Sequence, residues 1–324
     1  MSKKVLITGI TGQDGLFLTS ELLKRDDYTI LGTSRSSDTN NFLTKLIKLD
    51  TSTENFKNID IKKCNLMNIV EVEQLVENFQ PDFVYNLIGP GSVSESLSRP
   101  YESSTSITTS FNNLINGLVN QKLFPSFFQT SSSEMFKDNG LKPLDENTKF
   151  EPKTPYAVSK LFCHNLSIYF REKYNWNISC GILFNHESQF RDDNYLITKI
   201  IKDAVKISKG EKKELVIGSL DIVRDWGYTG DVVKAMQLVC ENNTFTDYVI
   251  GTGVGNSIKD MVKIIFDYLG LNYEEYIKID ADLLRKREPK TIISNPKKIE
   301  RDLGWKSETS FEQTILKSVK YHLN

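Results

Sequence analysis

The sequence predicts an α/β protein with a Rossmann-type doubly wound parallel sheet and a smaller, interleaved C-terminal α/β substrate domain. Two observations predict it. A short apolar run, Val5–Thr8, leads into the glycine-containing turn GITGQDG and then into leucines at helical spacing. Strand and helix patterns then alternate between residues 5 and 183, which is the chain order of a parallel sheet covered by helices on both faces.

Length and composition limit the class of protein. The 324 residues suggest one large or two medium domains, and 39% hydrophobic with 26% charged residues is typical of a soluble globular protein. The 41 basic and 42 acidic residues nearly cancel, so the net charge gives no reason to expect nucleic acid or an anionic membrane as partner. The chain opens directly on a strand, without an apolar segment long enough to cross a bilayer, so we expect a cytoplasmic protein.

The four cysteines are far apart in sequence and form no CxxC motif, and the chain has only three histidines. This pattern predicts reduced thiols in the core and no metal site.

The first strand is followed by a GxxGxxG pattern in the context that a dinucleotide site requires. Gly9 permits a tight turn, Gly12 lets the backbone approach the pyrophosphate, and Gly15 lets the helix pack on the strand. The helix N-terminus adds N–H donors and a partial positive charge. We therefore expect cofactor contacts along this turn, at Gly9, Thr11, Gly12, Gln13, Asp14 and Gly15.

The second strand, Tyr28–Thr33, ends in Ser34-Arg35-Ser36-Ser37. An NAD site usually carries an acidic residue here, which holds the ribose 2′-hydroxyl. The guanidinium of Arg35 instead suits a 2′-phosphate, so the sequence favours NADP over NAD. The alternative is that Arg35 is a surface charge.

The next elements continue the alternation. After a polar stretch with a short helix around residues 42–49, the sequence predicts strands at 59–64, 83–88, 127–131 and 178–183 and helices at 70–79, 100–120 and 155–174. The glycine that ends the 83–88 strand would let the backbone pass close to the cofactor.

Four chemically active side chains follow the fifth strand: Ser132, Glu134, Tyr156 and Lys160. If Pro155 opens a helix, Tyr156 and Lys160 lie one turn apart on one face. A lysine ammonium beside a tyrosine lowers the pKa of the phenol, which makes it a usable base near neutral pH. Ser132 could bond the same substrate oxygen. We expect Glu134, two residues further along the strand end, to point to the same side as a second base. The alternative is that Tyr156 and Lys160 form only a surface pair.

The second half places the polar cluster Phe184–Ser188 just after a strand, where doubly wound folds bind ligands. A structural or positioning role is favoured for His186, because Tyr156 already supplies a base. Helices are predicted at 195–209, 231–239 and 258–269, the last with Ser257 as N-cap, and short strands at 215–218 and 248–251.

Several longer segments carry a family resemblance: ITGITGQDG, QPDFVYNL, SSSEMF, TPYAVSKLF, GILFNHES, RDWGYTGDVVKAM, YVIGTG and NPKKIERDLGWK. With these motifs the chain resembles the extended short-chain dehydrogenase/reductase family, and within it the GDP-mannose 4,6-dehydratase branch. The resemblance implies an NADP-dependent hydro-lyase that removes water from GDP-mannose, or from a close GDP-sugar such as a GDP-manno-heptose. The product would be a 4-keto-6-deoxy sugar, formed by internal hydride transfer.

The resemblance also implies residue roles. Tyr156 would take the proton from the sugar 4-hydroxyl, Lys160 would lower the pKa of that tyrosine and hold the nicotinamide ribose, and Ser132 would bond the 4-oxygen. Glu134 would remove the C5 proton. Further cofactor contacts are implied at Asn65, Leu66, Leu87, Ile88, Leu183, Asn185 and His186. Substrate contacts are implied at Ser92, Glu95, Ser132, Asn185, Lys199, Gly218, Arg224, Arg285 and Glu288.

Among these contacts, Arg224 and Arg285 would clamp the diphosphate, although without the resemblance both would be interpreted as surface charges. Residues 1–184, with about 221–254, would bind NADP. Residues from about 185 to 220 and from 255 to 324 would bind the nucleotide sugar. The helices around 101–120 and 156–174 could pair in a homodimer or within a homotetramer, as they do in the family.

Departures from the branch leave alternatives open. Ser132 stands where the branch usually has threonine, and Ser133 replaces the acidic residue that dTDP-sugar dehydratases carry. Asn65 replaces an aspartate and Ser36 a second arginine. The identity of the sugar is left open by three departures, namely the Gly-Pro-Gly at 89–91, Glu95 and the short region after Leu271. The alternatives are a nucleotide-sugar 4-epimerase, which needs no base at C5, and a non-catalytic NADP-binding protein.

Overall fold

The computed structural model describes residues 2–36, 39–89, 93–283 and 289–323. The chain divides into two compact units. The first comprises residues 1–137, 149–183 and 233–248, and the second comprises residues 138–148, 184–232 and 249–324. Within the described ranges, no helix is both long enough and apolar enough to cross a membrane.

A parallel sheet forms the centre of the first unit. Its strands are β1 (Lys3–Thr8), β2 (Tyr28–Ser34), β3 (Ile59–Lys63), β4 (Phe83–Asn86), β5 (Ser126–Ser132) and β6 (Ile178–Leu183). Their spatial order is β6-β5-β4-β1-β2-β3, and every pair is parallel. The order reverses direction between β1 and β4, which is the point at which doubly wound sheets bind ligands. The predicted Rossmann-type fold is confirmed.

The helices of this part of the chain are α1 (Gln13–Leu22), α2 (Asn40–Ile47), α3 (Ile69–Phe79), α4 (Val93–Ser98), α5 (Pro100–Asn120) and α6 (Pro155–Tyr174). One core cluster joins sheet to helices and contains the buried Leu6, Val84, Phe127 and Trp176. The predicted bounds of α5, α6 and β6 match the structure, because prolines open both helices and a fully buried apolar run forms the strand.

The start of α6 determines where its side chains lie. Thr154 is the N-cap, and its hydroxyl accepts a hydrogen bond from the N–H of Ala157 at 3.2 Å. Pro155 occupies the first helical position, where its missing N–H costs nothing. This cap fixes Tyr156 in the first turn of the helix and Lys160 one turn later.

The second unit contains α7 (Leu196–Ser208), β7 (Asn185–Glu187), β8 (Leu215–Ile217), β9 (Val223–Tyr228), β11 (Gly255–Ser257), α9 (Ile258–Tyr268), β12 (Ile277–Ile279), β13 (Thr291–Ile292), α10 (Lys297–Leu303) and α11 (Phe311–Leu323). Two elements span the unit boundaries, α8 (Thr229–Glu241) and β10 (Tyr248–Ile250). Strand β9 lies between β11 and β13 and also pairs with β7, while β12 pairs with β8. The core holds Ile200, Met261, Ile265 and Ile315.

In this unit one local prediction is confirmed and one strand was not predicted. Ser257 caps α9 as expected, in a reciprocal capping box with Asp260. The sequence did not predict β9, because its segment carries charged residues that would ordinarily face solvent, yet Arg224 and Asp225 are both buried.

Candidate active site

Ser132 and Glu134 lie at the carboxyl end of β5. Ser132 is the last residue of the strand, and its hydroxyl accepts a hydrogen bond from the N–H of Glu134 at 3.3 Å. This bond draws Ser133–Met135 into a 3-10 turn. Glu134 therefore lies outside the strand, so strand alternation does not set the direction of its side chain, and its place beside Ser132 as a second base stays a prediction.

The carboxylate of Glu134 is half-buried, and in the described part of the chain it has no hydrogen-bond or ion-pair partner. A carboxylate of this kind can accept a proton from a ligand, since it does not first have to break an internal contact.

Tyr156 and Lys160 are brought together on α6, with the Lys160 ammonium 5.8 Å from the centre of the Tyr156 ring. The tyrosine is 9% exposed and the lysine 5%. The alternative of a surface pair is therefore wrong. A cation close to the tyrosine favours its phenolate form, which is the chemical condition for using the phenol as a base.

Among the described residues, the ammonium of Lys160 has three acceptors within reach. Its Nζ lies 3.1 Å from the carbonyl oxygen of Thr130, 3.2 Å from the Thr130 hydroxyl and 3.5 Å from the carbonyl oxygen of Ile88. Burial lowers the pKa of Lys160, while the nearby Cys163 and Asp14 act in the opposite direction. The acceptors stabilise the charged form that burial disfavours.

The glycine turn has the shape that a bound dinucleotide needs. Gly9 has φ of +70°, a conformation that a side chain would strain. A Cβ on Gly15 would lie 2.4 Å from the carbonyl oxygen of Ile10, so only glycine allows this close approach. Within the described ranges, no side chain caps the start of α1, whose N-cap is Gly12. Backbone N–H groups at this helix start can therefore bind phosphate, and the residues fit the predicted cofactor.

Arg35 follows the end of β2 and is exposed. Among the described residues it has no hydrogen-bond or ion-pair partner. An unpaired guanidinium beside the second strand is compatible with a 2′-phosphate ligand.

The other predicted cofactor contacts of the first unit lie at the carboxyl end of β6, follow the ends of β3 and β4, or complete the glycine turn. Leu66 and Leu183 are buried, Leu87 and Ile88 are half-buried, and Asn65 is exposed, with its side-chain oxygen accepting from the N–H of Met67. Carboxyl ends of parallel strands meet at one edge of a sheet, where this class of fold binds ligands.

The second unit carries the predicted substrate contacts on its sheet and nearby elements. Asn185 on β7 lies opposite Trp226 on β9, two residues from Arg224. Arg224 is 4% exposed and donates to the carbonyl oxygen of Val223 at 2.8 Å, so it is not a surface charge. Lys199 is exposed on α7, and Gly218 directly follows β8.

Of the remaining predicted substrate contacts, one lies within the described residues and three lie outside them. Glu95 is exposed on α4. Ser92, Arg285 and Glu288 lie outside the described residues.

Asp225, which follows Arg224 along β9, is fully buried and has a structural function that the sequence did not indicate. Its carboxylate accepts from the Thr252 hydroxyl at 2.6 Å, from the N–H groups of Thr252 and Gly253, and from the N–H and hydroxyl of Ser294. These bonds hold β9 to two neighbouring segments. The arginine and aspartate of the RDWG motif therefore have different surroundings on alternating sides of one strand.

His186 is buried, and its Nδ1 lies 2.8 Å from the carbonyl oxygen of Phe184. A carbonyl oxygen only accepts, so Nδ1 carries the proton. The bond is consistent with the structural role that the sequence favoured.

A chain of buried polar side chains that the sequence did not predict links β1, β4 and β5. It contains Thr8 on β1, Asn86 on β4, and Gln129 and Thr130 on β5. The sequence signal that could have indicated this network is the presence of polar residues within strands that are otherwise buried and apolar, because buried polar groups require hydrogen-bond partners.

A family model and individual relatives both match this chain over nearly its whole length, and they carry the same description. The family model described as GDP-mannose 4,6 dehydratase matches residues 6–318. GDP-mannose 4,6 dehydratase 2 of Arabidopsis thaliana is 33% identical over 320 residues, covering 97% of this chain and 85% of the relative. GDP-mannose 4,6-dehydratase of Sinorhizobium fredii is 30% identical over 350 residues, covering 99% and 97%.

Among solved structures, a dTDP-glucose 4,6-dehydratase from Streptomyces venezuelae superposes with a TM-score of 0.84 at 18% identity, covering 98% of this chain and 96% of that one. At this identity the likeness concerns the fold alone.

Proposed function

The chain belongs to the GDP-mannose 4,6-dehydratase family, and on this premise we propose that it is a hydro-lyase that converts GDP-mannose to the GDP-4-keto-6-deoxy sugar. The observation that carries the proposal is the family match over residues 6–318 in a chain that retains Ser132, Glu134, Tyr156 and Lys160. A site with a base, its activating lysine, a hydroxyl donor and a second carboxylate has the groups that an oxidation followed by an elimination requires.

NADP is the cofactor. The glycine turn of Gly9–Gly15 would hold its pyrophosphate, Arg35 its 2′-phosphate, and Lys160 its nicotinamide ribose. When bound, NADP supplies a hydride acceptor at the start of the reaction and a hydride donor at its end. Because nothing is consumed over one turnover, the cofactor can stay bound.

The first half of the reaction uses the residues of β5 and α6. Tyr156, activated by the neighbouring Lys160 ammonium, takes the proton from the sugar 4-hydroxyl. Ser132 donates a hydrogen bond to the same oxygen and steadies the carbonyl that forms at C4.

The second half depends on Glu134. The C4 ketone makes the C5 hydrogen acidic, since the resulting negative charge is shared with the carbonyl oxygen. Glu134 removes that proton and can pass it to the departing C6 hydroxyl, which leaves as water. The hydride would then return to C6, and Tyr156 would return a proton to C5, which regenerates both bases. One oxidation thus makes an otherwise unfavourable elimination possible, and the half-buried carboxylate at the end of β5 is the base.

The sugar-nucleotide contacts are proposed from the family motifs. In the second unit Arg224 would bind the diphosphate, with Asn185, Lys199 and Gly218 as further contacts. The buried, hydrogen-bonded position of Arg224 supports a fixed guanidinium at this point of β9. The sugar itself is proposed to be mannose, with a GDP-linked manno-heptose as the close alternative.

The decisive experiment is to incubate the purified chain with GDP-mannose and to measure the product mass. A dehydratase yields a product lighter by one water, with no accumulation of NADPH. A product of unchanged mass and altered stereochemistry at C4 would instead identify a 4-epimerase. A parallel panel of UDP-, CDP- and dTDP-sugars and GDP-manno-heptose determines which nucleotide and sugar the chain accepts.

A homo-oligomer built on α5 and α6 is the proposed assembly. Val158, Phe162 and Tyr169 on α6 are exposed at helical spacing, and Tyr101 at the start of α5 and Leu97 on α4 are also exposed. An apolar stripe on a long helix suits a second copy of the same surface, related by a twofold axis. The choice between dimer and tetramer and the cytoplasmic location remain predictions.

A further inference from the structure

We infer that Thr130 is a positioning residue of the reaction: its side-chain hydroxyl fixes the ammonium of Lys160 where it can serve both Tyr156 and the cofactor ribose. This inference rests on the proposed function for its kinetic consequences, but its geometric basis lies wholly within the first unit. Thr130 supplies two of the three acceptors that the described part of the chain places around Nζ, its carbonyl oxygen at 3.1 Å and its hydroxyl at 3.2 Å.

The direction of these hydrogen bonds can be assigned. The hydroxyl of Thr130 donates its hydrogen to the carbonyl oxygen of Asn86 at 2.8 Å. A hydroxyl has one hydrogen, so towards Lys160 it presents a lone pair and accepts. The Thr130 side chain is thus oriented by β4 before it meets the ammonium, and it does not need to reorganise when the lysine acts.

A second layer holds Thr130 in place. The side-chain amide of Gln129 donates to the Thr130 carbonyl oxygen at 2.9 Å, and its own oxygen accepts from the amide of Asn86 at 2.7 Å. The side-chain oxygen of Asn86 accepts from the hydroxyl of Thr8 at 2.8 Å. All four side chains are buried. A fully paired buried network is rigid, since any displacement leaves a polar group without a partner.

The third acceptor differs from the other two. The carbonyl oxygen of Ile88 lies 3.5 Å from Nζ, at the long limit for a hydrogen bond. An ammonium has three donors, so a ribose hydroxyl can replace this weakest contact while both bonds to Thr130 persist. Thr130 therefore keeps the ammonium close to the Tyr156 ring during the exchange.

The test compares Thr130→Val, which removes the hydroxyl at similar size, with Thr130→Ser, which keeps it. Thr314→Val is the matched control, because Thr314 is a fully buried threonine on α11 whose hydroxyl, in the described part of the chain, donates to the carbonyl oxygen of Ser310, the residue that precedes this helix. For each protein kcat and KM for GDP-mannose, the affinity for NADPH by fluorescence titration, and the melting temperature are measured.

We expect Thr130→Val to lower kcat by roughly tenfold or more, since it removes a hydrogen bond to a charged group. It should also weaken NADPH binding, with little change in KM for the sugar nucleotide. Thr130→Ser should restore both quantities, and Thr314→Val should match the wild type. If Thr130→Val does not fold, the comparison of Thr130→Ala with Thr130→Ser takes its place.

Two results would overturn the inference: wild-type kcat and NADPH affinity in Thr130→Val, or equal losses in the valine and serine variants. Should the wild-type chain fail to dehydrate any sugar nucleotide, the proposed function is wrong. The NADPH titration, which needs no sugar, then decides the role of Thr130 alone, and unchanged affinity in Thr130→Val refutes it.

Discussion

The Nδ1 atom of His164 lies 2.9 Å from the hydroxyl oxygen of Ser131, the residue that precedes Ser132 on β5. On its other side, Nε2 of His164 lies 3.8 Å from a carboxylate oxygen of Asp247. That carboxylate is paired with the guanidinium of Arg171. The imidazole therefore connects the strand that ends at the candidate site to an ion pair within the same unit.

This arrangement predicts how stability depends on pH. Burial lowers the pKa of His164 below its ordinary value of 6.5, with Arg171 adding to the effect and Asp247 opposing it. As the pH falls below 6.5, the unfolded chain binds a proton that the folded chain does not, so the free energy of unfolding decreases. The decrease ends once the pH is below the folded-state pKa. Urea denaturation of His164→Gln should therefore show a smaller loss of stability between about pH 7.5 and pH 5.5 than the wild type. An identical loss in both proteins would contradict this.

Glu134→Gln distinguishes elimination from epimerisation. The substitution keeps the size of the side chain but removes its basicity, so dehydration should fall by a factor of about 10² to 10⁴. Binding of NADPH should be unchanged, because Glu134 is not assigned to the cofactor. Product mass and NADPH fluorescence measure the two quantities. Full dehydratase activity in this variant would show that another group removes the C5 proton, and full epimerase activity would favour the alternative function.

Arg35→Asp should reverse the cofactor preference. Replacing the guanidinium with a carboxylate removes the partner of the 2′-phosphate and adds repulsion, so affinity for NADPH should fall roughly ten- to hundredfold. NADH affinity should fall much less, because its ribose carries a hydroxyl there. Arg301→Asp, an exposed arginine on α10, is the control. A variant that keeps its preference for NADPH would show that Arg35 does not bind the phosphate.

Phe162→Glu should dissociate the proposed oligomer. A carboxylate in the middle of the exposed stripe on α6 would lose its hydration at an apolar interface, which is unfavourable without a partner. Size-exclusion chromatography with light scattering should give a lower mass for this variant than for the wild type. Ile47→Glu changes an exposed apolar residue on α2 and should leave the mass unaltered. A wild-type chain that is already monomeric would disprove the proposed assembly.

Local sequence signals predicted much of the first unit because they depend on short-range physics. Pro100 and Pro155 open their helices as expected, since proline tolerates only the first turn. The turn from Gly9 to Gly15 needs backbone conformations and approaches that only glycine permits, and the pattern of these residues is visible without a structure. The pair Tyr156 and Lys160 follows from helical periodicity alone.

Other features required the folded chain. The turn that takes Glu134 out of the strand is closed by a hydrogen bond that the Ser132 hydroxyl accepts from the N–H of Glu134, which no periodicity encodes. Strand β9 was missed because its buried charge, Asp225, is satisfied by donors from residues 252, 253 and 294, far away in sequence. Propensity cannot anticipate such partners, since they meet only when the unit folds.

By itself the sequence determined the alternation of strands and helices that predicts a doubly wound sheet, the glycine turn and the candidate residues for the chemistry, because each is specified by patterns within a few positions of the chain. Only the tertiary structure decided what surrounds the ammonium of Lys160. Its acceptors come from Thr130 and Ile88, which are 30 and 72 residues away along the chain. Hydrogen bonds between residues so distant in sequence arise from the packing of strands and helices, and local sequence patterns contain no record of them.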